Sequence, residues 1–182
     1  MLLETERLII RDLELEDEIS FVEMAQDGSL AEDIGFDKEC SEWMAGWILE
    51  AKELAAEDNP NKDYIAYTVV LKDNNAVIGS VGCSYYEDLQ KTGITYFIGA
   101  EYRNNGYAAE AVRAYSRYFL KHYSLEQLIA TIWEENVPSC RVIEKAGFEL
   151  IEKKLYKDIN DEHEKIYNFY ELKRTVGDYK IV

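Results

Sequence analysis

Read for polarity alone, the chain begins with a half-buried strand at Leu8–Arg11, set between charged neighbours. Asp17 then stands where a helix cap belongs, with Ile19, Phe21 and Val22 on the inner face of the helix it would open. Residues 41–57 carry Trp43, Trp47, Ala51, Leu54 and Ala55 at helical spacing, and Asn59-Pro60-Asn61 breaks that pattern. Two strand-like runs follow, 65–71 and 76–84. The turn chemistry of Asp73-Asn74-Asn75 joins them into a hairpin, and residues 92–99 make a third strand. Helical period returns over residues 106–122, with Ala108, Val112, Tyr115 and Phe119 directed inward. A β-rich run at 128–133 precedes a helix at 139–146, stopped by Gly147, and strands at 148–153 and 165–172 close the pattern. This order predicts one mixed domain over residues 1–182, built on a largely antiparallel sheet.

Composition narrows the picture. At 182 residues and 47% hydrophobic, the chain can bury one sizeable core. Thirty-six acidic against 20 basic residues give a formal charge of −16, which argues against nucleic acid as a partner. The same charge fits either simple solubility or a site that draws cationic substrates. Cys40, Cys83 and Cys140 are far apart, without paired spacing, and the two histidines are His122 and His163. Neither set describes a disulfide framework or a metal centre, so we expect a reducing compartment. Charges lie where a signal peptide needs an apolar core, and no apolar run reaches membrane length. A cytoplasmic protein without a membrane partner is the expectation.

The candidate chemistry starts at residues 102–115, YRNNGYAAEAVRAY, where a strand feeds a helix. The first N–H groups of a helix lack internal partners and carry the positive end of its dipole. Gly106 lets backbone approach a ligand, Ala108 leaves room in the first turn, and Arg103 offers a charged fork of donors. Together they describe a seat for a diphosphate. A capped loop with a surface arginine accounts for the same residues. The chain contains neither the GxGxxG of a dinucleotide fold nor the GxxxxGK[ST] of a P-loop. In the second stretch, residues 136–148, NVPSCRVIEKAGF, Ser139 reads as an N-cap, Pro138 as a helix-opening residue and Gly147 as a C-cap. Capping by Ser139 leaves Asn136 without a role.

Three segments in order, TERLIIRDLELED, ITYFIGAEYRNNGYAAEAV and NVPSCRVIEKAGFEL, resemble the GNAT superfamily of N-acetyltransferases. Within it they are similar to the branch that acetylates ribosomal-protein N-termini; residues 26–62 match least. The resemblance implies an α+β fold with a mixed, largely antiparallel central sheet flanked by helices, and acetyl-CoA as co-substrate. Arg103, Asn104, Asn105, Gly106, Tyr107 and Ala108 would hold the CoA diphosphate through backbone N–H groups. Ile98, Gly99 and Ala100 would splay from the neighbouring strand and pair with the pantetheine arm. Asn136 would bond that arm, and Ser139 would sit near the sulfur as the catalytic proton donor. The family's strand glutamate falls at Gly93 here, which leaves Glu87, Glu101 and Tyr96 as substitutes for the base. Tyr64, Tyr67, Tyr85, Tyr86 and Tyr170 are candidates for pocket walls. The acceptor would be a primary amine, a protein N-terminus or a small amine, including an aminated antibiotic. The alternatives are an acyl-CoA-binding module without turnover and a covalent route through Cys140. Monomer and homodimer both stay open.

Overall fold

The computed structural model describes residues 2–158 and 161–174. Eight strands build its sheet: β1 (Leu2–Glu4), β2 (Leu8–Arg11), β3 (Tyr64–Leu71), β4 (Val77–Tyr86), β5 (Lys91–Ile98), β6 (Gln127–Trp133), β7 (Glu149–Tyr156) and β8 (Lys165–Lys173). Their spatial order is β1-β2-β3-β4-β5-β6-β8-β7. Neighbours run antiparallel except β5 and β6, which run parallel and share one register pair, Gly93 opposite Ile129. The helices are α1 (Asp17–Ala25), α2 (Ala31–Ile34), α3 (Met44–Glu57), α4 (Tyr107–His122) and α5 (Val137–Ala146). The α+β architecture with a largely antiparallel sheet is therefore the one observed. Among the described residues, no helix is long and apolar enough to cross a membrane.

Side chains on a strand alternate between faces, and here both faces are covered. On one, Ile65, Val81, Ile94 and Leu128 pack against Val112 and Phe119 of α4 and Ile143 of α5. On the other, Ala66 and Phe97 meet Phe21 and Met24 of α1 and Met44 and Ile48 of α3. The hairpin between β3 and β4 turns where its asparagines predict. Asn75 takes a positive φ of 59°, and the Asn74 side chain accepts from the Ala76 N–H at 3.0 Å. Both conformations are ones asparagine tolerates.

Four local readings change. Asp17 is the first residue of α1 rather than its cap, and it is buried because Arg11 claims its carboxylate. Ile19 is 68% exposed, and Phe21, Met24 and Ala25 form the inner face. In α4 the first-turn alanine that is buried is Ala109, with Ala108 only half-buried. The short β1 and α2 carry too few residues to show a period.

Candidate active site

Past Gly93 the parallel strands diverge, and residues 94–98 of β5 have no ladder partner on β6. A strand edge left open this way offers N–H and C=O groups to an extended ligand. A groove of about 1390 Å³ runs through the opening. Small side chains, Ala66, Ser80, Ser84, Thr95 and Thr131, line its floor. Phe36, Trp47 and Tyr64 line one side and Trp133, Tyr156 and Tyr167 the other. Trp47 holds its place edge-on to Phe21 and Phe36 and stacked on Tyr64, with ring centroids 6.0, 5.3 and 6.2 Å away. Of the five tyrosines named from sequence as walls, Tyr64, Tyr85 and Tyr86 line the groove. Tyr67 and Tyr170 instead point into the core beneath α4 and α5.

At the end of β5 a 3₁₀ turn, Ala100–Tyr102, leads to the α4 start. Gly106 caps α4 in the left-handed conformation, with φ 81°, and Asn104 is also left-handed, with φ 65°. A side chain at Gly106 would find open space save for Arg7 Nη2 at 3.5 Å. Residues 103–106 are exposed, so the loop that leads into the helix is open to solvent at a bare glycine. The Arg103 side chain bonds within the protein. Its Nε donates to the Ile98 carbonyl at 2.9 Å and Nη2 to Ser29 Oγ at 3.0 Å, so the fork clamps the loop to the strand end. The Gly99 and Ala100 carbonyls accept from the Tyr102 and Arg103 N–H groups. The strand edge without a ladder partner thus lies just before these residues, at 94–98.

The second motif opens α5. Asn136 is the N-cap, its side chain accepting from the Ser139 N–H at 3.2 Å, with Pro138 inside the first turn. Ser139 is therefore the third helical residue, not the cap, and Asn136 does the capping. Ser139 lines the groove with Asn136, half-buried, and its carbonyl accepts from the Tyr96 hydroxyl at 3.2 Å. That bond ties the β5 side of the opening to α5. Cys140, one residue on, faces the other way. The residue is 8% exposed, its thiol accepts from Asn168 Nδ2 at 3.3 Å, and it does not line the groove.

Gly93 explains itself in the fold. A Cβ there would lie 2.5 Å from Tyr86 Cε2, because the Tyr86 ring rests on the glycine backbone. Thr131 Oγ1 donates to the Tyr86 hydroxyl at 3.4 Å, so the ring spans from β4 across β5 to β6 at the apex of the divergence. Burial pushes the Tyr86 phenol up to about 12, with Asp158 and Asp88 adding to the rise. Glu87, Asp88 and Asp158 line the same groove, while Glu101 does not. A glycine inside a strand marks a close approach, and that was the sequence signal for Tyr86. Asp88 and Asp158 carried none.

The family model described as an acetyltransferase (GNAT) domain matches residues 7–149. The chain is 31% identical over 145 residues to the uncharacterised N-acetyltransferase YnaD of Bacillus subtilis (strain 168), covering 79% of each protein. It superposes on a GNAT-family acetyltransferase from Bacillus anthracis with a TM-score of 0.77 and 25% identity, over 95% of this chain and 98% of that one. RimL, the ribosomal L7/L12 α-N-protein acetyltransferase solved with coenzyme A, shares the fold at 12% identity and a TM-score of 0.79, over 95% and 98% of the chains.

Proposed function

Because the chain belongs to the GNAT acetyltransferase family, we propose that it moves an acetyl group from acetyl-CoA directly to a primary amine, with the whole chain as one transferase domain. The observation that carries this reading is the divergence of β5 from β6, with Asn136 and Ser139 on the groove that passes through it. RimL, solved with coenzyme A, supports the donor. The open edge at residues 94–97, short of the Ile98 carbonyl that Arg103 takes, fits an extended amide-bearing arm, and the exposed start of α4 at Gly106 fits the diphosphate. On this reading Asn136, which lines the groove, contacts that arm, and Ser139 beside it serves the sulfur.

In the transfer, the amine nitrogen attacks the thioester carbonyl carbon, the C–N bond forms and the C–S bond breaks. The sulfur leaves with the electron pair and takes its proton from Ser139 Oγ–H, and the proton that the attacking nitrogen sheds as the amide forms returns to Ser139 Oγ through water. The amine must first lose its own proton. Tyr86, held near 12, stays protonated at neutral pH and cannot take it. The proton leaves through water toward Glu87, Asp88 and Asp158. These carboxylates also favour a cationic amine at the groove. An N-terminal amine, with a pKa of about 8, needs less help than a lysine amine at about 10.4, so a protein or peptide N-terminus is the better acceptor. A thiol-release assay tests this with acetyl-CoA and a panel of peptides with free or blocked N-termini, lysine side chains and small amines. Release with free N-termini is expected. Coenzyme A binding without release for any amine would overturn the proposal.

A further inference from the structure

Glu110 raises a problem for a diphosphate seat. It lies in the first turn of α4, where its carboxylate would repel the phosphates that the helix start attracts. The fold answers with Arg7, 103 positions earlier in the chain, which meets Glu110 through Nε at 2.8 Å and Nη2 at 2.7 Å. The other carboxylate oxygen accepts from Thr5 Oγ1 at 2.6 Å and from the Arg7 backbone N–H at 2.9 Å. Burial alone would raise the Glu110 carboxyl; the bonds from Thr5 and Arg7 outweigh it and hold the group ionised below its usual range. Arg7 Nη1 also donates to the Asn105 carbonyl at 2.9 Å, and the guanidinium lies 4.6 Å over the Tyr107 ring.

One side chain thus holds residues 105, 107 and 110. The contact at Asn105 matters most for binding. That carbonyl shares a planar trans peptide with the Gly106 N–H, so pinning the oxygen toward Arg7 aims the hydrogen the opposite way. We infer that Arg7 is the positioning residue and counter-charge of the diphosphate seat, fixing the Gly106 peptide and neutralising Glu110. The inference rests on acetyl-CoA being the donor. It also gives the arginine of the TERL segment a role at the start of α4.

The test compares acetyl-CoA with acetyl-pantetheine, which has the same thioester and arm but no phosphates. In Arg7→Ala, KM for acetyl-CoA should rise about tenfold or more, with kcat and the acetyl-pantetheine parameters unchanged. Adding Glu110→Gln to that variant should recover part of the loss, because the uncompensated charge is gone. A brace with no electrostatic role predicts instead that the double variant is no better than the single. Arg7→Lys, which keeps charge but loses the fork, should fall between wild type and Arg7→Ala and serves if the alanine variant does not fold. If wild type prefers acetyl-CoA and Arg7→Ala keeps that preference in full, the role of Arg7 is wrong while the donor reading stands. If wild type shows no preference, the diphosphate seat itself falls, and this inference with it.

Discussion

Two neighbouring residues on α5 meet different surroundings. Ser139 faces the groove and Cys140 the core, because adjacent helix positions point about 100° apart. With Asn136 as the cap, the two roles once joined in Ser139 can be measured apart. Ser139→Ala should lower turnover by roughly 10²-fold with thermal stability nearly unchanged, if the hydroxyl protonates the leaving sulfur. Asn136→Ala should cost about 1 kcal/mol of stability through the lost cap. Equal turnover per folded molecule in Ser139→Ala would remove the hydroxyl from the mechanism. Gly93→Ala probes the other side of the opening. Its methyl must push the Tyr86 ring off the backbone, costing about 1–3 kcal/mol. Because the ring lines the groove, KM for the amine should change while KM for acetyl-CoA holds. An unaltered amine KM would mean that Tyr86 does not touch the acceptor.

Elements were legible where local chemistry decides them. The hairpin at Asp73-Asn74-Asn75, the helix closed by Gly147 and the strand before Gly106 all follow from turn, cap and period signals. What stayed hidden depends on residues distant in sequence. The direction of the Arg103 fork is set by Ser29, 74 positions away, and the Asp17 carboxylate is held in part by Thr68, 51 positions away. The choice of Asn136 over Ser139 as cap rests on backbone angles that both residue types can adopt. Gly106, chosen from sequence because a bare backbone can approach a ligand, also takes a positive φ as the α4 cap. Gly106→Trp should therefore abolish acetyl-CoA binding by filling the approach to the helix start. It should also cost about 1–2 kcal/mol, since a side chain at left-handed φ is strained. Calorimetry on the folded variant checks this, and wild-type affinity would show that no ligand approaches there.

For the molecule as a whole, the question is what fastens the α1–α3 layer to the sheet above the groove. Apolar packing through Phe21, Met44 and Phe97 does most of it, and one buried charge adds direction. Arg11 on β2 grips Asp17 with two bonds of 2.8 and 2.7 Å. Thr68 on β3 donates to the same carboxylate at 2.6 Å and the Glu14 N–H at 3.0 Å. Burial by itself would raise the Asp17 carboxyl. The donors from Arg11, Thr68 and Glu14 overcome that and hold it below the ordinary aspartate range. A carboxyl lowered in the folded state stabilises above its unfolded value, about 3.9, and that contribution disappears as pH falls through the lower folded value. Asp17→Asn should thus cost about 3 kcal/mol at neutral pH, because it removes the close partner of Arg11 and leaves it the more distant Glu14 carboxylate at 3.7 Å. The penalty should shrink on acidification below about pH 4, as the wild type loses the same interaction by protonation. Denaturant unfolding of both proteins from pH 7 to pH 2 measures the difference directly. Convergence of the two stabilities at the acid end is the expected result. A gap that stays constant to pH 2 would mean that packing around Asp17, and not its charge, joins α1 to the sheet.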